Sequence, residues 1–326
     1  MMYLFLLGGL FLGWSFGRNN LSTVFGTAIG TRMVSFRVAT FLAGTFIFLG
    51  AILSGTQTTD AVLQLARIPS LWGAFLLSLS IGLTVSLASH FGIPVSIVES
   101  FIGAIIGWNF FFHVPNNWPS LFEMVAAWFY APVLAAILAG LIFYGTQKAL
   151  THFKLSIFYR DLWIRFGLIA SGIYSAYFLG ANNISAIAGP YLSVEGIPAH
   201  YMILSIGIAI ALGALSADKK VISTVSTGLF PLSALEAFIV VLSCGVILYC
   251  FSSATLQQLL LACHLPTLPL IPIPTTNVLI GCIVGVGATR GCFGIQWSTL
   301  GKMILSWFLI PMISGLICWS ILAIVI

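Results

Sequence analysis

The sequence predicts an all-α integral membrane protein made of two related halves, and three observations predict it. Of 326 residues, 60% are hydrophobic and only 6% are charged, with a mean hydropathy of +1.12, whereas soluble domains carry about 25% charged residues. Long runs of the chain contain no charged residue, and one polar motif occurs twice, half a chain apart. We therefore expect about 10–12 membrane segments, including broken helices and re-entrant hairpins.

Uncharged runs place the membrane segments along the chain. A helix of about 20 residues crosses a hydrocarbon core of about 30 Å. Most of the uncharged runs therefore hold one span, and the longest must hold two. The runs without Asp, Glu, Lys or Arg are 38–59, 68–98, 124–147, 166–194, 237–289 and 303–326.

The repeated motif lies in the first apolar segment of each half. Residues 17–22 read Gly-Arg-Asn-Asn-Leu-Ser, residues 180–185 read Gly-Ala-Asn-Asn-Ile-Ser, and Gly26 is matched by Gly189. The copies are 163 residues apart (180 − 17), which is half of the chain. Because an apolar membrane helix disfavours adjacent carboxamides, we expect each half to begin with a helix in two pieces, broken at its Asn-Asn pair.

A second pair of interruptions follows, one in each half. Pro94 and Gly103 enclose the first, and Pro272 and Gly281 enclose the second over the same nine-residue span. Irregular backbone at membrane depth is tolerated only where it is buried in protein or lines a cavity. Interruptions at corresponding positions of two halves therefore predict a binding site between the halves, near the membrane midplane.

Charges in the loops predict the orientation of the chain. The loop 113–120 contains no Lys or Arg, which indicates the outside. An excess of positive charge indicates a cytoplasmic loop, and the segment 148–165 sets one acid, Asp161, against four basic residues: Lys148, Lys154, Arg160 and Arg165. We expect a first membrane repeat over 1–147, a cytoplasmic linker over 148–165 and a second repeat over 166–326, in the plasma (inner) membrane.

Several classes of function are disfavoured by what the sequence lacks. It has no HExxH, GxSxG or CxxC motif, so we expect neither an enzyme nor a resident cofactor or metal centre. No basic patch interleaved with aromatic residues indicates a nucleic-acid partner. An anion channel stays open as an alternative, although broken helices favour an occludable site over a continuous pore.

Hydroxyls, carboxamides and helix N-termini are the groups that the interruptions supply. Backbone N–H groups at a helix start bind anions with the help of the helix dipole. Neutral donors can hold a tetrahedral oxyanion without the strong point charge that would slow its release. The predicted substrate ligands are Asn19, Asn20, Ser22, Ser96, Asn182, Asn183, Ser185, Thr275, Thr276 and Asn277.

Two charged residues accompany these ligands and are candidates for charge compensation or ion coupling. Arg18 directly precedes the first Asn pair and could offer a bidentate fork to an anion; alternatively it lies at the membrane interface or pairs with Glu99. Glu99 is an acid in an apolar segment, and such acids are functional candidates by default. The alternative for Glu99 is structural neutralisation of an arginine.

The paired motifs resemble those of the inorganic phosphate transporter (PiT) family, over essentially the whole chain. The likeness rests on the duplicated G-x-N-N-[LI]-S, the Pro-x-x-x-x-[EN] interruptions and the glycine-rich segment 281–287. The resemblance implies two inverted repeats, a shared membrane-embedded phosphate site, symport with Na⁺ or H⁺ by alternating access, and a homodimer in the lipid bilayer. The sulfate permease branch of this family keeps sulfate open as the substrate.

The chain departs from the family motifs at positions that bear on ion coupling. The Asp of the family's G-A-N-D-x-A-N is replaced by Asn20 and Asn183, and the His of its P-x-S-T-T-H is replaced by Glu99 and Asn277. Carboxylates are natural ligands of hard cations, and a neutral amide is a poorer charge partner for them. We therefore expect the oxyanion site to persist while Na⁺ coupling is weakened or replaced by proton coupling.

Overall fold

Helices form all of the regular structure in the residues that the computed structural model describes, which are 2–65, 68–152, 156–194, 198–226 and 228–326. Part of the predicted linker, including Lys154, lies outside the described residues. Short 3₁₀ helices occur at Met2–Phe5 and Gly55–Thr58. The α-helices are α1 (Leu6–Gly30), α2 (Phe36–Ser54), α3 (Thr59–Leu63), α4 (Leu71–His90), α5 (Ile97–Phe111), α6 (Trp118–His152), α7 (Ile157–Leu192), α8 (Ala199–Leu215), α9 (Lys219–Ser226), α10 (Ala234–Ser252), α11 (Ala254–Ala262), α12 (Thr275–Thr289) and α13 (Trp297–Val325).

The helix lengths confirm a multi-pass membrane protein with interrupted helices. Within the described residues, six helices are long and apolar enough to cross a membrane, or seven if α8 and α9, bent by 73° at a short break, form one span. The apolar helices α5 and α12 have only 15 residues each. Each of the two follows a non-helical segment that contains proline, as the second pair of interruptions predicted.

The Asn-Asn pairs do not break their helices, so the prediction of a helix in two pieces at each pair is wrong. Both α1 and α7 are continuous through the motif. Asn20 Nδ2 donates to Phe16 O at 3.3 Å, and Asn183 Nδ2 donates to Leu179 O at 2.9 Å. A short polar side chain that bonds to the carbonyl four residues earlier is compatible with helical backbone.

The motif segments of α1 and α7 form the centre of the molecule. Every residue of 15–28 except Arg18 is buried, and so is every residue of 179–191. By contrast, the most apolar stretch of α13 is only 22% buried inside the protein. Its remaining apolar side chains are available to lipid, while the polar pairs are enclosed by protein.

The two halves pack through exchanged helices. From the first half α1 packs on α8 and α5 packs on α13, while from the second half α7 packs on α2 and α12 packs on α6. Small residues allow this close approach: Gly17 faces the backbone of Ile210, and Gly180 faces that of Ile47. Each contact in one half therefore has a counterpart in the other, as expected for two intertwined repeats.

Gly281 allows α12 to approach α6, because a Cβ at this position would collide with the backbone of Pro132. We expect Gly281→Ala to lower the thermal unfolding temperature of the detergent-purified protein, since overpacking costs about 1–3 kcal/mol. Gly145→Ala is the matched control, because no heavy atom lies within 4 Å of its Cβ position. Equal unfolding temperatures for the two variants would contradict the close packing of α12 on α6.

Candidate functional site

Asn19 connects α1 by hydrogen bonds to the end of α4 and to the non-helical segment before α5. Its Nδ2 donates to Ser89 Oγ at 2.7 Å and to Ile93 O at 3.3 Å, and its Oδ1 accepts from Val95 N–H at 3.1 Å. The side chain is buried, so water does not compete for these bonds. Asn19 thereby fixes the place at which α5 begins.

Asn182 makes the equivalent contacts between α7 and the segment before α12. Its Nδ2 donates to Ile273 O at 2.9 Å, and its Oδ1 accepts from Ile273 N–H at 3.0 Å and from Ser252 Oγ at 3.5 Å. The first asparagine of each motif is therefore bound to the backbone of a non-helical segment. A direct contact of Asn19 or Asn182 with substrate stays a prediction of the sequence.

The first turns of α5 and α12 meet at a hydrogen bond between equivalent positions. Asn277 Nδ2 donates to Glu99 Oε1 at 2.8 Å, and both side chains are buried. The N-cap residues, Ser96 and Pro274, provide no side-chain cap to either helix. Two positive helix ends with uncapped N–H groups thus converge, an arrangement that favours an anion.

Asn20 joins α1 to this meeting point. Its Oδ1 accepts from Thr23 Oγ1 and Thr275 Oγ1, each at 3.5 Å, and Thr276 Oγ1 donates to Asn277 Oδ1 at 3.5 Å. The equivalence of the two halves predicts that Asn183 on α7 faces the start of α5, because α7 packs on α5. We call the following buried residues the polar cluster: Asn20, Ser96, Glu99, Asn183, Thr275, Thr276 and Asn277.

Two atoms of the polar cluster have no hydrogen-bond partner among the described residues. They are the hydroxyl oxygen of Ser96 and Oδ1 of Asn183, and both side chains are completely buried. A buried polar atom without a partner costs about 1–3 kcal/mol, so native proteins seldom retain one without a reason. The Ser96 hydroxyl can therefore donate a hydrogen bond to a polar ligand, and Asn183 Oδ1 can accept one.

The other two predicted serines lie beside the polar cluster. Ser22 Oγ donates to Asn19 O at 3.0 Å, within α1, and Ser185 Oγ shares a hydrogen bond of 2.7 Å with Thr58 Oγ1. The Ser185 contact joins α7 to the 3₁₀ turn after α2. Both hydroxyls are engaged by protein, and their contact with substrate stays a prediction.

Arg18 is paired with Asp218 and not with Glu99. Its Nη2 lies 3.1 Å from Asp218 Oδ2, and its guanidinium lies 5.4 Å from the centre of the Trp14 ring. The Arg18 side chain is 39% exposed, so it lies at the edge of the buried core. The structure thus contradicts the expected alternative of an Arg18–Glu99 pair, and direct binding of an anion by Arg18 stays a prediction.

Comparison with known proteins agrees with this architecture. Residues 16–318 match the sequence profile described as the phosphate transporter family. The chain belongs to the phosphate transporter family. This membership confirms the resemblance that the paired motifs predicted, and with it the expectation of a transporter and not an enzyme.

Similar proteins match nearly the whole length of this phosphate transporter family member. A relative in Methanocaldococcus jannaschii with a provisional name as a phosphate permease is 26% identical, over 96% of this chain and 94% of its own. One in Thermococcus kodakarensis with the same kind of name is 23% identical, over 95% and 94%. A solved structure titled "The sodium-dependent phosphate transporter" has a TM-score of 0.80 and 19% identity, covering 100% of this chain and 99% of its own, and shows that the fold is shared.

The polar cluster of this phosphate transporter family member is closed off. A cavity of about 1110 Å³ lies elsewhere, among Asp60, Trp72, Trp108 and Asn117. Next to the cluster, the space bounded by Pro94 and Thr276 amounts to only about 10 Å³, close to the volume that one water needs. We assign the site from the cluster's chemistry and not from cavity size, because a site closed on all sides leaves no large pocket.

The sequence did not predict the partners of Asn19, Asn182, Ser185 and Arg18. Ser89, Ser252 and Thr58 lie at or near the ends of apolar helices, and no spacing in the sequence indicates their partners. Asp218 did leave a signal, because it is the one acid between residues 196 and 235. An isolated acid in an apolar half could have been proposed as the partner of Arg18.

Proposed function

We propose that the protein is a secondary transporter that carries inorganic phosphate across the plasma (inner) membrane. The observation that carries this proposal is the convergence of two uncapped helix N-termini, those of α5 and α12, on a buried cluster of neutral polar groups. Membership of the phosphate transporter family supports phosphate as the anion. The provisional names of the similar proteins point the same way.

Transport proceeds in this proposal by alternating access. The polar cluster lies between equivalent parts of the two repeats, and it is enclosed by protein on all sides. Matching anchors, Asn19 and Asn182, tie the start of α5 to α1 and the start of α12 to α7, each within its own repeat. An intertwined pair of repeats can open the same site first to one side and then to the other.

We assign proton symport as the coupling, with Glu99 as the proton carrier. Both Asp positions of the family motif hold neutral Asn20 and Asn183, which leaves Glu99 as the carboxyl of the polar cluster. Its partner is the neutral amide of Asn277. Burying an ionised carboxyl beside a bound anion is very costly, so Glu99 holds a proton while phosphate is enclosed and releases it when water enters. Na⁺ is the alternative coupling ion.

The orientation and assembly are also part of the proposal. The basic segment 148–165 faces the cytoplasm, and the loop 113–120 faces outward, in keeping with the distribution of positive charge. The repeats are 1–147 and 166–326. The family resemblance supports a homodimer as the assembled state.

Uptake into proteoliposomes tests this function. We expect labelled phosphate to accumulate above its external concentration when the outside is acidic, with little additional effect of a Na⁺ gradient and no accumulation of labelled sulfate. Protein-free vesicles are the control. Accumulation of sulfate alone would replace phosphate by the second candidate substrate, and flux that only follows the anion's own gradient would indicate a channel.

A further inference from the structure

We infer that Asn183 Oδ1 accepts a hydrogen bond from the P–O–H group of bound phosphate, and thereby selects phosphate against tetrahedral anions that carry no proton. This inference rests on the proposed function and adds the substrate's protonation and a specificity-determining residue. It follows from the direction of one buried amide and from a difference between the two repeats.

The direction of the Asn183 amide is fixed by its neighbour on α7. Nδ2 lies 2.9 Å from Leu179 O, and a backbone carbonyl can only accept, so the nitrogen must face it. The oxygen of the same amide therefore points away from the helix turn. It is buried, and no donor among the described residues reaches it.

The equivalent amide in the first repeat, that of Asn20, has hydrogen-bond donors for its oxygen. Asn20 donates to its own helix in the same way. Its Oδ1, however, accepts from two hydroxyls, those of Thr23 and Thr275, each at 3.5 Å. Asn20 thus receives one donor from its own helix and one from the start of α12, in the second repeat.

Apolar residues occupy both positions from which equivalent donors would reach Asn183. The position equivalent to Thr23 is Ala186 (186 − 23 = 163), and the position equivalent to Thr275 is Ile97 (275 − 97 = 178). Neither side chain can donate a hydrogen bond. The lone acceptor is therefore encoded by two apolar residues and is not an incidental gap in packing.

No described residue supplies the donor that Asn183 Oδ1 lacks, so we assign the donor to the ligand, and the groups at the start of α5 match hydrogen phosphate. Ser96 immediately precedes Ile97, is completely buried, and has an oxygen without a partner. Its hydroxyl and the uncapped N–H groups of α5 can donate to the unprotonated oxygens of an anion. The protonated oxygen of the same anion can then donate to Asn183 Oδ1.

An anion without a proton is rejected by this arrangement. Sulfate would place an oxygen lone pair against the Oδ1 lone pair and leave the acceptor unpaired. Sites built to bond a substrate hydroxyl discriminate strongly against analogues that lack it. The cost of one unpaired buried acceptor corresponds to about a 10- to 100-fold weaker affinity.

Competition at the wild-type protein is the first test. Labelled phosphate exchange in proteoliposomes is measured against unlabelled arsenate, monofluorophosphate and sulfate at neutral pH. Arsenate keeps an acidic O–H, whereas monofluorophosphate is a tetrahedral dianion with fluorine in place of the hydroxyl. We expect arsenate to compete like phosphate, and the other two to need about 10- to 100-fold higher concentrations. Equal competition by arsenate and monofluorophosphate would overturn the inference.

Two matched variants form the second test. Asn183→Thr introduces a hydroxyl that can donate as well as accept, so the preference for arsenate over monofluorophosphate should fall at least about fivefold. Asn109→Thr is the control, because Asn109 lies outside the polar cluster and donates to Asn116, and its preference should stay at the wild-type ratio. The ratio does not depend on how much protein folds. If Asn183→Thr alters only Na⁺ dependence, the atom is a cation ligand and the inference fails.

The outcomes separate this inference from the proposed function. If labelled phosphate does not exchange and labelled sulfate does, phosphate is not the substrate and both fail. If phosphate exchanges and monofluorophosphate competes as well as arsenate, the transporter stands and only the role of Asn183 is lost. Because the wild-type measurement decides this point, failure of a variant to fold leaves the test intact.

Discussion

Replacing Glu99 by Gln is expected to abolish accumulation of phosphate driven by a proton gradient, while exchange of phosphate across the membrane continues. Glutamine keeps a carbonyl oxygen for Asn277 Nδ2, which lies 2.8 Å from Glu99 Oε1, but it cannot gain or lose a proton. Exchange moves the loaded transporter in both directions without releasing the proton. Net uptake requires the empty transporter to return deprotonated.

Within the part of the chain that the structure describes, the elements that pack on α5 provide no counter-charge that could take over this role. The charged or basic groups of α4, α7 and α13 are exposed, and Arg290 beyond α12 pairs with Glu236 at 2.7 Å. The buried titratable groups on these helices are neutral thiols or a phenol. The exposed charged or basic groups are His90, Arg160, Asp161, Arg165 and Lys302, and the buried groups are Tyr191, Cys318 and, on α12, Cys282.

Two proteoliposome measurements check the Glu99 prediction. Net accumulation with an acidic exterior should fall to the level of protein-free vesicles, and exchange of external label for internal phosphate should stay within about fivefold of wild type, the equivalent of one hydrogen bond. Glu123→Gln is the control, because Glu123 is an exposed acid and both activities should persist. Unchanged accumulation in Glu99→Gln would return Glu99 to a structural role, and loss of exchange would make it a substrate ligand instead.

The membrane class, the paired motifs and the starts of α5 and α12 could be predicted because their signals are local. A long run without charged residues indicates a membrane environment by its composition alone. A proline before a helix ends the preceding segment, because proline has no backbone N–H to donate. Pro94 and Pro272 both precede short helices in the structure. These features need no knowledge of which distant residues meet.

The Asn-Asn pairs were misjudged because polarity alone does not decide whether a helix breaks. Asn20 and Asn183 satisfy part of their amides on their own helices, and protein from the other repeat surrounds the rest. The sequence also predicted the same role, that of substrate ligand, for both asparagines of each pair. Successive residues of a helix point about 100° apart, so Asn19 faces the segment before α5 while Asn20 faces α12.

Contacts between the repeats were beyond the reach of the sequence. The bond of Glu99 with Asn277 joins residues 178 positions apart, and that of Asn20 with Thr275 joins residues 255 apart. Equal spacing within each repeat indicated which positions correspond. It did not show that corresponding positions would touch, which requires the exchanged packing of α5 and α12.

Replacing Asn182 by Leu is expected to lower both thermal stability and phosphate transport. The leucine has a similar volume but leaves the N–H and the carbonyl of Ile273 without their partners, now 3.0 and 2.9 Å away. Each unpaired buried group costs about 1–3 kcal/mol, so the segment before α12 should detach at lower temperature. Transport should fall at least about tenfold, because each kcal/mol of lost stability already lowers the population of the correctly placed segment several-fold.

Ser252→Ala is the control for Asn182→Leu. It separates the anchoring of the segment before α12 from the loss of any one polar contact. It removes only the bond of 3.5 Å to Asn182 Oδ1, so stability and phosphate exchange should stay near wild type. The start of α12 supplies Thr275, Thr276 and Asn277 to the polar cluster. If Asn182 acts by placing that start, Asn182→Leu should raise the phosphate concentration for half-maximal exchange even at temperatures where the protein is fully folded. A variant that is less stable but exchanges phosphate normally would show that the anchor serves folding alone.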